Sequence, residues 1–91
     1  MKKQVLLKIR GKVQGVWYRA SAKKRADELG VCGWVKNDPD GGVSILSESE
    51  EDILKEFIEW CRMGPPLSKV TEISEDWKEF SGNYSDFKIL Y

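Results

Sequence analysis

The stretch from Val31 to Glu48, V-C-G-W-V-K-N-D-P-D-G-G-V-S-I-L-S-E, decides how this chain folds. Its ends are rich in β-branched and apolar residues, and Asp38, Pro39, Asp40, Gly41 and Gly42 crowd between them as a turn signal. A hairpin is expected, with strands over Val31 to Asn37 and Val43 to Glu48. On either side of it the apolar spacing is helical. Upstream, Tyr18, Ala22, Ala26 and Leu29 step by three or four residues around Lys23, Lys24, Asp27 and Glu28, and Gly30 stands where a left-handed cap belongs. Downstream, Ile53, Leu54, Phe57, Ile58 and Cys61 form a stripe, Glu50, Glu51 and Asp52 crowd the first turn, and Arg62 precedes the stop at Gly64, Pro65 and Pro66. Ser47 or Ser49, each three residues before an acid, is expected to cap this second helix.

A hairpin flanked by two amphipathic helices needs outer strands to complete a sheet. From Gln4 to Arg10, Val5, Leu7 and Ile9 alternate with Gln4, Lys8 and Arg10, interrupted only by Leu6. Lys69 to Ser74 is a weaker strand carrying Val70 and Ile73. Glu75 to Ser85 is polar apart from Trp77, Phe80 and Tyr84, and Phe87, Ile89 and Tyr91 then alternate as a last, edge-like strand. The order β-α-β-β-α-β, with one short extra strand, predicts an α+β fold of the ferredoxin-like kind: two split βαβ units with two helices on one face of an antiparallel sheet. Many unrelated activities share that arrangement, so function has to be read from a site.

Composition narrows the chemistry. With 91 residues, 41% of them hydrophobic, residues 1–91 are expected to form a single domain around one core. Fifteen basic and fifteen acidic residues cancel, whereas a chain that coats nucleic acid usually carries a basic excess, so no nucleic-acid partner is expected. The absence of histidine excludes Ser/His and Cys/His nucleophile pairs, phosphohistidine chemistry and the commonest metal ligand. Cys32 and Cys61 are too few for a disulfide framework and lack zinc-site spacing, so both read as small buried apolar residues. Val5, Leu6 and Leu7 make too short an apolar run for a signal peptide, and no stretch approaches a membrane span. A cytoplasmic protein with no membrane partner is expected. Charge is nevertheless uneven: residues 1–30 carry a net +7 and residues 31–91 a net −7. Either a basic first helix lies near an acidic second one, or the cationic third meets an anionic ligand.

The loop Gly11, Lys12, Val13, Gln14, Gly15, Val16, Trp17, Tyr18, Arg19 is where an anion would bind. Gly11 and Gly15 permit positive φ, and the loop feeds a helix N-terminus, whose free N–H groups and dipole attract negative charge. Arg19 in the first turn opposes that dipole by ~0.3–1 kcal/mol unless an anion sits there. Its guanidinium would add bidentate donors suited to phosphoryl oxygens. The alternative is a tight turn with a solvated arginine. Asn37, at the end of the hairpin's first strand, is either ordinary turn chemistry or an amide that donates and accepts, as positioning a water requires. Split βαβ topology allows it to approach the loop. Nucleotide motifs are absent, since the loop has neither a Gly-Lys-Ser/Thr end nor G-x-G-x-x-G. Asp38-Pro-Asp-Gly41 mimics an aspartyl-phosphate motif inside a chain too short for that fold, and no arginine lies at the spacing a cysteine phosphatase needs. Trp34 and Trp60 read as core or its edge, and Trp17 as a wall of the loop.

G-K-V-Q-G-V-W-Y-R (residues 11–19), L-G-V-C-G-W-V-K-N (29–37), D-G-G-V (40–43), M-G-P-P-L-S-K-V (63–70) and the terminal F-K-I (87–89) together resemble the acylphosphatase family over nearly the whole chain. The resemblance implies hydrolysis of the carboxyl-phosphate bond of acyl phosphates without metal or cofactor. It also implies a small-molecule substrate, inorganic phosphate as product inhibitor, and a monomer. By motif position Arg19 matches the phosphate-binding arginine and Asn37 the water-orienting asparagine. Gln14, Gly15, Val16, Trp17 and Tyr18 match the loop whose backbone N–H groups cradle phosphate, and the substrate's own phosphate oxygen is implied to take the water's proton. Trp17, Tyr18 and Ser49 depart from residues common at those positions, the first two bearing on acyl-group preference. The competing expectation is a ferredoxin-like module that binds phosphate or RNA through the same loop without turnover.

Overall fold

Seven elements follow one another in the computed structural model, which describes residues 1–91: β1 (Lys2–Lys12), α1 (Tyr18–Leu29), β2 (Cys32–Asn37), β3 (Val43–Glu50), α2 (Glu51–Met63), β4 (Lys69–Glu79) and β5 (Phe87–Leu90). The hairpin forms as expected, β2 antiparallel to β3, with Asn37 opposite Val43 at its closed end. β1 lies on the other side of β3, and the strand order is β4-β1-β3-β2-β5. The helices contribute Tyr18, Ala22, Ala26, Leu54, Phe57, Ile58 and Cys61 to a core shared with Val5, Leu7, Ile9, Val35, Val43, Ile45 and Phe87 of the strands. Period-two alternation in the strands and three-to-four spacing in the helices supply both faces of that contact.

The sheet is mixed, not antiparallel throughout. β1/β3, β1/β4 and β2/β3 are antiparallel, but β5 runs parallel to β2. β4 and β5 lie on opposite edges, so residues 80–86 must cross the sheet, and a strand entered after such a crossing can run parallel to its neighbour. Glu48 holds the crossing down. Although only 2% exposed, its carboxylate accepts hydrogen bonds from Gln4 Nε2 at 2.7 Å, Ser81 Oγ at 2.7 Å, and the Ser81 and Gly82 backbone N–H groups at 2.8 and 3.2 Å.

β4 extends five residues beyond the predicted Ser74. Its side chains are almost all exposed, so no apolar alternation marked the extension, and backbone pairing with β1 as far as Lys3 opposite Glu79 creates it. Neither Ser47 nor Ser49 caps α2, because β3 continues to Glu50 and passes directly into the helix. The Glu51 N–H instead donates to the Met1 carbonyl at 3.0 Å, so the start of the chain supplies a partner that spacing could not reveal. α1 ends as predicted: Gly30 is left-handed, and the Val31 N–H reaches back to Ala26 at 2.8 Å in a Schellman closure. Cys61 is buried as expected, whereas Cys32 is only half-buried. The basic and acidic helices meet at Arg25 and Glu56, 3.4 Å apart. No helix is long and apolar enough to cross a membrane.

Candidate active site

The segment between β1 and α1 is anchored by Val13 and Val16, both buried in the core, and bends back between them. Gly15 takes φ 73°, in open space, and Trp17, the residue before α1, takes φ 67°. A tryptophan in the left-handed region carries strain of order ~1–3 kcal/mol, and such outliers collect where backbone geometry serves a ligand. No side chain caps α1, and its first turn contains no acidic residue. Its leading N–H groups are therefore left for another acceptor, with Arg19 beside them. Gly11 serves the sheet instead. At φ 126°, a Cβ there would lie 2.1 Å from the Lys69 carbonyl oxygen, so the glycine lets β4 close on a bulged β1.

A cavity of about 370 Å³ opens at this point. Arg19 and Asn37 both line it, joined by Gly15, Trp17, Ile89 and Tyr91. The topology explains the meeting: β3 alone separates β1 from β2, so the loop leaving β1 and the end of β2 lie two strands apart on one side of the sheet. Val13 and Ala20 complete the wall with Tyr18, whose side chain is buried and whose hydroxyl donates to the Cys61 carbonyl at 2.6 Å. That phenol therefore ties α1 to α2, and burial raises its pKa above the ordinary tyrosine value. Cys61, buried beneath it, is pushed up to about 12 by the same desolvation. Trp17, 76% exposed, stands at the mouth as expected of a wall residue.

Two of the loop residues singled out in the sequence do not line the cavity. Val16 is a buried plug, and the side chain of Gln14 turns away from the opening to the hairpin turn, where Nε2 donates to the carbonyls of Asp38 and Gly42 at 2.8 and 2.9 Å. Sequence reasoning missed Ile89 and Tyr91. Arg19 Nη1 donates to the Leu90 carbonyl at 3.4 Å, and the guanidinium lies over the Tyr91 ring. Their alternation was visible, but nothing local showed that the last strand pairs with β2 and so reaches Arg19.

The turn after Asn37 is fixed by charge. Asp38 accepts from Lys8 and from Ser44 Oγ at 2.6 Å, while Asp40 faces Lys8 and Arg10 and accepts from the Gly42 N–H at 3.0 Å. Burial works to raise the Asp38 pKa, but the Lys8 and Ser44 bonds outweigh it and hold the carboxyl below its ordinary value; Asp40 is lowered first by the Gly42 N–H. The hydrogen bond to Asp38 raises Lys8 in turn. These carboxylates are structural staples to β1. A wider groove between α2 and β4 is lined by Lys55, Arg62, Glu51, Glu59 and Glu75, which pair among themselves and leave little field for a charged ligand.

Known proteins share this chain's sequence and fold. The family model described as Acylphosphatase matches residues 5–89. An acylphosphatase of Methylococcus capsulatus is 43% identical over 88 residues, covering 97% of this chain and 96% of that one. Among solved structures, the acylphosphatase from Bacillus subtilis superposes with a TM-score of 0.94 at 40% identity over the whole of both chains. One from Coxiella burnetii gives 0.87 at 37%, covering 98% of this chain and 93% of that one.

Proposed function

This chain belongs to the acylphosphatase family and hydrolyses acyl phosphates to a carboxylate and inorganic phosphate, and from that premise we propose how its own residues carry the reaction. The phosphoryl group sits against the backbone N–H groups of Gln14 to Tyr18, with the Arg19 guanidinium on its equatorial oxygens. Asn37 holds a water in line with the carboxylate leaving group. The supporting observation is that Arg19 and Asn37 line one cavity at an uncapped helix N-terminus.

Water oxygen forms the new bond to phosphorus as the bond to the acyl oxygen breaks, and the electron pair leaves on the carboxylate. A carboxylate departs without protonation, so no general acid is needed, and a substrate phosphate oxygen accepts the water's proton. What remains for the protein is positioning and charge stabilisation, the terms that dominate phosphoryl transfer through a loose transition state. The same reading makes the enzyme independent of metal and cofactor, inhibited by product phosphate, and active in the cytoplasm as a monomer of one domain.

Variant kinetics on a simple acyl phosphate test this assignment. Arg19→Ala is expected to lose phosphate affinity and turnover together, since its charge acts in ground and transition states. Asn37→Ala is expected to lower kcat at least ~100-fold with a smaller change in KM and phosphate affinity retained. A destabilised Asn37→Ala with near-normal kcat removes Asn37 from the reaction. Activity restored by a divalent ion after EDTA removes the metal-free mechanism.

A further inference from the structure

The Gln14 side chain lies outside the cavity yet joins its two halves. Its Nε2 places both hydrogens, one on the Asp38 carbonyl and one on the Gly42 carbonyl. These are the carbonyls that close the hairpin turn, since the Asp38 N–H donates to Gly42 at 2.8 Å and the Gly41 N–H to Asp38 at 3.2 Å. Asn37 immediately precedes this turn. Lys8 and Arg10 hold the turn through its carboxylates and so fix it to β1, but neither belongs to the loop. Gln14 alone joins the loop to the turn by side-chain hydrogen bonds.

From this geometry we infer that Gln14 is a positioning residue for the water-orienting amide: it sets the distance between the loop that receives the phosphate and the strand end that carries Asn37. The inference rests on the proposed roles of Arg19 and Asn37 and adds a residue that acts through the second of them. A primary amide suits this role because the two acceptors need two donors on one nitrogen, which no hydroxyl or carboxylate supplies. An in-line attack tolerates little misplacement, and an error near 1 Å costs on the order of 10²-fold in rate.

Gln14→Met keeps the side-chain length and removes both donors, and Gln14→Asn keeps the amide but shortens its reach; the second serves if the first does not fold. Each is combined with Asn37→Ala, and kcat, KM and the inhibition constant of inorganic phosphate are measured for all forms. Loss of the two bonds is expected to lower kcat about tenfold or more, within the range that misplacement allows, and to leave the phosphate inhibition constant within about threefold. In the Asn37→Ala background the same change is expected to cost almost nothing, because there is no longer an amide to position. A merely structural role lowers stability without that non-additivity.

Equal losses of kcat in both backgrounds overturn the inference, and so does a parallel loss of phosphate affinity, which would give the Gln14 side chain a part in the phosphate cradle. Full activity in a folded Gln14→Met overturns it as well. If Asn37→Ala alone leaves kcat intact, the reading of Asn37 is what has failed, and the phosphate affinities of the two single variants show this separately.

Discussion

The Arg19 guanidinium carbon lies 5.0 Å from the centroid of the Tyr91 ring, while its Nη1 reaches the Leu90 carbonyl. The last residues of the chain therefore hold the one arginine that lines the cavity, across a sequence separation of 71 residues to Leu90. The guanidinium gives one of its five hydrogens to the Leu90 carbonyl. Its remaining donors are free to face an anion, and its long stem loses part of its freedom before the anion arrives.

Tyr91 is fully exposed, so this contact is screened by water and its effect is small. Tyr91→Ala is expected to weaken phosphate binding by about two- to fivefold, the range for an exposed cation–π contact, and Tyr91→Phe to keep it. Titration calorimetry with phosphate at fixed ionic strength measures both. Equal affinity in Tyr91→Ala and the parent would make the ring a bystander.

In the proposed mechanism the loop and the α1 N-terminus bind inorganic phosphate in the folded state alone, so phosphate should stabilise the fold. At ten times its dissociation constant the gain is about 1.4 kcal/mol, which raises the melting midpoint by roughly 6–11 °C for a domain of this size. Thermal melts with sodium phosphate against sodium chloride at matched ionic strength read the shift. In Arg19→Ala it should shrink, and a midpoint unmoved by tens of millimolar phosphate argues against the cradle.

Tyr18 separates stability from chemistry. Its hydroxyl is committed to the Cys61 carbonyl inside the core, away from any acyl group in the cavity. Tyr18→Phe should cost about 1–2 kcal/mol by leaving that carbonyl a poorer partner, while kcat and the ranking of acyl phosphates stay unchanged. Denaturant melts and kinetics on two acyl phosphates of different bulk decide it. A changed substrate ranking would show that the hydroxyl reaches the substrate.

What could be read in advance follows from how local the information is. Tyr18 to Gly30 and Ile53 to Gly64 carry period and stop signals within their own windows, and both helices lie where those signals put them. Arg19 and Asn37 were legible through a helix terminus and a turn, and their meeting through topology. Apart from the half-buried Cys32, the failures are pairings between distant segments: β4 beyond Ser74 exists through β1, α2 is completed by Met1, and Tyr91 reaches Arg19 because β5 joins β2. Gln14 is the subtler case, since its place in the loop was right while the direction of its side chain depends on two carbonyls 24 and 28 residues away.

Glu48 gives the fold an acid-sensitive pin. It is the single charged residue among the buried ones, and its alternation within β3 gave no hint that Ser81 and Gly82 would bind it. Burial alone would raise its pKa, but the hydrogen bonds from Ser81, Gln4 and Gly82 outweigh desolvation and hold it below the ordinary value of 4.5. A carboxyl lowered in the folded state contributes its stabilisation fully above the unfolded value and loses it as pH falls through the folded one. Glu48→Gln replaces one acceptor oxygen by an NH₂ group facing N–H donors, and the loss at pH 7 is expected to be about 2 kcal/mol or more. The gap between parent and variant should be constant from pH 7 to about 5, then narrow as the parent's carboxyl protonates on the way to about pH 3. Urea melts across that range measure the gap, and one that stays constant down to pH 3 would mean that the charge of Glu48 does not hold the crossing segment.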